Sequence, residues 1–285
     1  MLGKKIKAWI VAGRFFAGPW IAVNTFLGAK LAGFDFNAWL LGFGVVFSIL
    51  LASHYMNAWR DWVLGVDRLE EGSRAKPYTA ASQLIPRGEF TVGEAKAATL
   101  GWFLVAVGLF LMFAPKRPDT FALLALGIFV AATYTDFAKR HAIGELYLFL
   151  GHGFGATTFA YSLVKPVTIE ALCAGILLGF WAGILYTIDQ WQDVETDFAR
   201  RIKNFAYMVA RANMRLSTFY YFGITAIVTM HFGMALMGLL PTSTLKTILL
   251  LPLYHFTGVL LDYQFERGVL LALLGMWLYP ILMAV

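Results

Sequence analysis

The chain has 285 residues, of which 59% are hydrophobic and only 14% charged, with a mean hydropathy of +0.67. Soluble domains carry about 25% charged and 45–50% apolar residues, so this composition excludes a soluble globular protein and places nearly the whole chain in a lipid bilayer. The net charge of +6 fits basic loops retained on one side of a membrane and attracted to anionic headgroups; no nucleic-acid partner is expected.

The basic start, Met1 to Lys7, runs into the apolar stretch Ala8 to Leu31. That stretch is too long for the core of a signal peptide and has no small-x-small cleavage site, so it reads as a first membrane helix. In all, nine apolar segments approach the roughly 20 residues that a helical span needs. They cover about 9–31, 38–56, 97–114, 120–135, 145–164, 168–188, 216–239, 246–262 and 268–285. The expected fold is a single all-α membrane domain over residues 1–285, with nine transmembrane helices around a central cavity. Cap loops are expected at about 57–96, 135–145 and 189–215. Cys173 lies inside an apolar run and is expected to pack as a small hydrophobe. Pro19, Pro252 and Pro280 are expected to kink their helices.

Lys and Arg fall unevenly on the connections. With the N-terminus inside, Lys4, Lys5, Lys7, most of the arginines and Lys139 fall on one side, and Lys30, Lys116, Arg117, Lys165 and Lys246 on the other. The positive-inside rule then makes the N-terminus cytoplasmic and leaves Val285 outside.

Two polar clusters stand out, one after the second apolar segment and one after the sixth. In the first, Asn57 and Asp61 are four apart and share a face if the helix continues. Gly65 is expected to end or bend that helix, which would let Asp67 swing back toward the same point. In the second, Asp189, Asp193 and Asp197 advance in fours and would stay within about 80° of arc on a helix. Carboxylates stacked in this way repel unless a cation lies between them. Mg²⁺ suits them, because it takes oxygen ligands and needs only one or two carboxylates beside substrate phosphate. Two such clusters facing each other would clamp a diphosphate. The segment 68–94 reads as a polar lid carrying Arg74, Lys76 and Arg87.

The pattern resembles the UbiA-type superfamily of intramembrane prenyltransferases, which has nine membrane helices and two Asp-rich motifs after the second and sixth. That family's first motif is Asn-Asp-x-x-Asp-x-x-x-Asp. This chain reads Asn57-Ala-Trp-Arg-Asp61-Trp-Val-Leu-Gly65-Val-Asp67, with Ala58 in place of the second-position Asp. The Gly-x-Asp spacing is similar to the branch that prenylates dihydroxynaphthoate on the way to menaquinone. The second motif is Asp189-Gln-Trp-Gln-Asp193-Val-Glu-Thr-Asp197, followed by a basic stretch that includes Lys203. Tyr134 to Glu145 resembles the family's Tyr…Lys-Arg…Gly-Glu segment, and Arg14 resembles a family arginine that faces the head-group pocket.

The resemblance implies Mg²⁺-dependent transfer of a prenyl group from a prenyl diphosphate to an aromatic quinone precursor, or to a lipid acceptor, on the cytoplasmic side of the cell membrane. It implies Asn57, Asp61, Asp67, Asp189, Asp193 and Asp197 as metal ligands, with Asn57, Asp61, Asp189 and Asp193 central to catalysis. Arg14, Arg74, Lys76, Lys139, Arg140 and Lys203 would hold the diphosphate. His54, Tyr55, Tyr134 and Tyr186 are candidate pocket residues, where aromatic faces would steady an allylic cation. Each has a plainer reading: solvated helix ends for the acids, positive-inside topology for the cations, snorkelling for Arg14 and packing for His54. Transfer to an ether-lipid glycerol phosphate and terpene cyclisation share the same machinery. An ion-coupled transporter would place its acids near the midplane, not at one interface. A CDP-alcohol phosphotransferase would carry an Asp-Gly…Ala-Arg signature that this chain lacks.

Overall fold

The computed structural model describes residues 2–65, 83–139, 141–194 and 204–285, and among these every regular element is helical. In chain order the helices are α1 (Leu2–Ala12), α2 (Gly18–Leu31), α3 (Phe36–Val63), α4 (Val92–Phe113) and α5 (Pro118–Thr133). They continue with α6 (Gly144–Leu148), α7 (Ala156–Val164), α8 (Ile169–Trp191), α9 (Phe205–Arg211), α10 (Leu216–Leu236), α11 (Leu251–Tyr263) and α12 (Phe265–Ala284). A π-helical turn, Tyr134–Ala138, prolongs α5, and a second, Phe149–Gly155, joins α6 to α7 without a break.

Seven of the described helices are long and apolar enough to cross a bilayer, and a bent pair at the N-terminus makes an eighth. The segment expected over 145–164 is helical throughout, but His152 and its threonines hold its apolarity below that of the others. The expected span at 246–262 starts as a 3₁₀ helix, Thr242–Leu250, before α11. Pro19 and Pro252, expected as kinks, sit in first turns, where a missing N–H costs nothing; Pro280 alone lies inside a helix.

The first span departs from expectation. Instead of one helix over 9–31, α1 and α2 are separated by a 50° bend. At the bend Arg14 adopts φ 49°, in the left-handed region, which costs a residue with a side chain of order 1–3 kcal/mol unless its surroundings hold it there. Tyr55 supplies the hold. Its hydroxyl donates to the Trp9 carbonyl at 2.9 Å, and a Cβ at Gly13 would lie 2.8 Å from Tyr55 Oη. The bend is therefore set by a tyrosine on another helix and by a glycine that leaves it room.

Capping fixes where the other helices begin. Asp35 accepts from the Ala38 N–H at 2.9 Å, Thr91 and Glu94 form a reciprocal capping box, and Asn204 accepts from the Tyr207 N–H at 2.7 Å. An ion pair at one end of the bundle and hydrogen bonds at the other mark its two faces. Lys5 pairs with Glu94 at 2.8 Å, so the N-terminus and the start of α4 share a face. On the other face the Val167 N–H donates to Asp119 at 3.0 Å and Lys165 donates to the Leu31 carbonyl at 3.4 Å.

Candidate active site

A cavity of about 520 Å³ runs between the bend at Arg14, α3, α5, the α6–α7 stretch, α8 and α12. Its lining changes character along the helices. On α3 the lining positions pass from Val45 and Ile49 to Ser53, His54 and Asn57. On α5 they pass from Leu123 and Leu124 to Tyr134 and Lys139, and on α8 from Ala182 and Leu185 to Tyr186, Asp189 and Gln190. The cavity therefore has an apolar body and one polar end, where the C-terminal turns of three helices meet.

Asn57 and Asp189, the leading residues of the two Asp-rich motifs, line this one cavity. The π-helical turn after α5 and Lys139 beyond it tie the polar end to α3 through three pairs of side chains. Thr135 Oγ1 donates to Asn57 Oδ1 at 3.2 Å, and Lys139 Nζ donates to Asp61 Oδ2 at 2.6 Å. Arg60 grips Asp136 with both Nε and Nη2. The wider turn makes this register possible, since it spaces Thr135, Asp136 and Lys139 to meet Asn57, Arg60 and Asp61. Asp61 is 4% exposed, so its charge is buried against Lys139. Across the cavity the Tyr134 hydroxyl donates to the Tyr186 hydroxyl at 2.5 Å, and Gln192 Nε2 donates to Asp189 Oδ1 at 3.2 Å. Arg14 reaches the same cavity from the bend.

Other expected site residues lie elsewhere. Tyr55, expected at the pocket, is 1% exposed and packs between Trp9 and Phe90 on the opposite side of α3. Asp193 does not continue the helix that carries Asp189. α8 ends at Trp191, and Asp193 follows in a turn whose N–H donates to the Gln190 carbonyl at 3.0 Å. Gly65 ends α3 as expected, at φ +71°. Asp67, Arg74, Lys76, Arg140, Asp197 and Lys203 lie outside the described residues. Sequence reasoning missed the Arg60–Asp136 pair, although Asp136 stands inside the Tyr134 to Glu145 segment. It also missed Gln190, His152, Trp20 and Trp277 as cavity lining; for residues on largely apolar helices only the three-dimensional packing supplies that signal.

The donor set suits a hard cation. Among the described residues no three His, Cys, Asp or Glu side chains gather to form a metal cage. An amide oxygen on Asn57 and a carboxylate on Asp189 are nonetheless both presented to the cavity. Mg²⁺ is held in that way, by one or two carboxylates with substrate phosphate and water completing its shell. Each helix C-terminus adds roughly half a negative charge, so three of them at one end disfavour an anionic ligand until cations offset them. Arg14 and Lys139 begin that offset.

Solved structures similar to this fold share little sequence identity with it. A homologue of UbiA from Aeropyrum pernix K1, in its apo form, superposes with a TM-score of 0.70 at 18% identity, over 94% of this chain and 96% of that one. A UbiA homologue from Archaeoglobus fulgidus bound to GPP and Mg²⁺ gives 0.69 at 16% identity, over 98% and 100%. A digeranylgeranylglyceryl phosphate synthase gives 0.66 at 15% identity, over 98% and 97%. No curated protein sequence gives a significant match. The sequence profile of the UbiA prenyltransferase family matches residues 18–274. With nearly its whole length matched by that profile, the chain belongs to the UbiA prenyltransferase family.

Proposed function

We propose that the protein transfers a prenyl group from a prenyl diphosphate to an aromatic quinone precursor, with Mg²⁺ at the polar end of the cavity. The observation that carries this reading is that Asn57 and Asp189, from motifs far apart in sequence, line one cavity together with Arg14 and Lys139. The fulgidus homologue's GPP and Mg²⁺ are the ligands that this arrangement suits. Asn57, Asp61, Asp189 and Asp193 would hold the metal, joined by Asp67 and Asp197. Bound there, Mg²⁺ supplies Lewis-acid neutralisation of the leaving diphosphate.

The chain's own residues do the rest. Lys139 and Arg14, with Arg74, Lys76, Arg140 and Lys203, donate charge-assisted hydrogen bonds to diphosphate oxygens. The apolar body accepts the prenyl chain and keeps water from the allylic cation. The rings of Tyr134 and Tyr186 lie at the junction of the two regions, where an aromatic face stabilises a cation by about 0.5–2 kcal/mol. The carbon–oxygen bond breaks first, its electron pair leaving with diphosphate. The acceptor ring carbon then adds to the allylic cation, and it restores aromaticity by losing the group it carried, a proton to water or a carboxylate as CO2.

Gly65-x-Asp67 spacing supports a naphthoate acceptor of the menaquinone type. The likeness to a digeranylgeranylglyceryl phosphate synthase supports a second reading, with an ether-lipid glycerol phosphate as acceptor. The distribution of Lys and Arg supports nine spans, with Gly144 to Val164 as the fifth, a cytoplasmic N-terminus and a polar end facing the cytoplasm. The test is a panel of prenyl diphosphates and acceptors, read by mass spectrometry in purified protein with and without Mg²⁺. Prenylated 1,4-dihydroxy-2-naphthoate is the expected product. Product from the glycerol phosphate lipid alone would favour the second reading, and Mg²⁺-independent release of diphosphate would defeat both.

A further inference from the structure

We propose that His54 Nε2 recognises a hydroxyl group of the acceptor molecule, which makes this histidine a determinant of acceptor choice. His54 lines the cavity one helical turn from Asn57, on the same face of α3. Its Nδ1 lies 2.8 Å from the carbonyl oxygen of Gly13. A carbonyl only accepts, so Nδ1 carries the proton in the neutral ring and Nε2 presents a lone pair. No described residue donates to Nε2; Arg14 and His152, the charged or titratable groups that act on this ring, make no hydrogen bond with it. The geometry at Gly13 is fixed from outside the cavity, because Tyr55 holds α1 and leaves no room for a side chain there. The ring is thereby pinned in a single polarity.

A lone pair at the edge of an apolar cavity calls for a donor, and a hydroxyl supplies one. His152 also lines the cavity, but among the described residues its ring nitrogens have no partner, so nothing there sets its polarity. The inference rests on the aromatic-acceptor reading above and deepens it. It places a hydroxylated ring between His54 and the metal-binding end, within reach of the prenyl carbon.

The experiment compares kcat/KM for 1,4-dihydroxy-2-naphthoate with that for its 1-O-methyl and 4-O-methyl ethers, using geranyl diphosphate and Mg²⁺. Sites built to hydrogen-bond a hydroxyl reject analogues lacking it by about 10⁴–10⁵-fold, so wild-type protein is expected to show a preference of that order against one of the two ethers. His54→Leu is expected to reduce the preference to within about threefold, mainly through KM for the hydroxylated acceptor. His54→Gln, whose amide oxygen also accepts, is expected to restore much of it. A merely structural defect slows all three acceptors together and leaves the ratio intact, and His54→Phe provides a second apolar variant. An unchanged ratio in the apolar variants overturns the proposal, as does a ratio that collapses in His152→Leu instead. Wild-type protein that prenylates none of these acceptors defeats the aromatic-acceptor reading itself, a result distinct from turnover with an unchanged ratio.

Discussion

Asp61 and Asp189 carry the sharpest expectations. Replacing either by Asn keeps the shape and removes the charge, so the fold is expected to survive. Loss of one preorganised charged group at a reaction centre typically costs about 10²–10³ in kcat, and Mg²⁺-dependent release of diphosphate should fall by at least that much. Full turnover in both variants would end the enzymatic reading. Lys139 contacts Asp61 at 2.6 Å and also lines the cavity, so Lys139→Met is expected to raise KM for the prenyl diphosphate by roughly tenfold or more, the worth of one charged hydrogen bond. A KM unchanged in that variant would restrict Lys139 to pairing with Asp61. At this scale the sequence singled out Asn57 and Asp189, which line the cavity, because acids and amides stand out at the ends of apolar runs. It did not show that Tyr55 faces away from the cavity, because a one-residue change of helical face rests on packing against Trp9 and Phe90.

Between elements, the joint of α3 with the turn after α5 is the one that shapes the site. Arg60 and Asp136 are both partly exposed, with side chains 31% and 39% accessible, so removing the pair is expected to cost less than about 1 kcal/mol of stability. Its larger effect is expected on the register of Thr135 against Asn57. Arg60→Asp or Asp136→Arg alone should raise the Mg²⁺ concentration needed for half-maximal rate, and the double exchange should bring it back toward wild type. A double variant as impaired as the singles would leave the pair without a positioning role. Packing between helices gives an independent check. A Cβ on Gly28 would collide with the backbone of Thr157 on α7, so Gly28→Ala should destabilise by about 1–3 kcal/mol, read as a lower thermal midpoint in detergent. Helix ends were the least legible elements. The bend at Gly13 and Arg14 interrupts a continuous apolar run and depends on Tyr55, far along the chain. α8 stops at Trp191 with no glycine or proline to announce it, whereas Gly65 did announce the end of α3.

For the molecule as a whole, hydropathy alone located the seven long apolar helices, because a bilayer demands such helices with their backbone bonds satisfied internally; the first segment proved to be a bent pair of helices instead of one. That the two motifs share a cavity was foreseeable from their position after the second and sixth segments. The apolar-to-polar gradient along α3, α5 and α8 was not, since it depends on which face of each helix turns inward. The proposed topology rests on the uneven distribution of Lys and Arg and is open to direct test. In a Cys173→Ser background, single cysteines at Lys5 and Arg87 are expected to react with an impermeant maleimide only from the cytoplasmic side, and cysteines at Lys116 and Lys165 only from the other. The reverse labelling would place the site on the outer face. The most direct measurement is the anomalous signal of Mn²⁺ substituted for Mg²⁺ in crystals grown with an unreactive prenyl thiodiphosphate. Metal coordinated from both Asn57 and Asp189, with the diphosphate between them, is the expected result; metal held by one motif alone, or a diphosphate bound elsewhere, would contradict it.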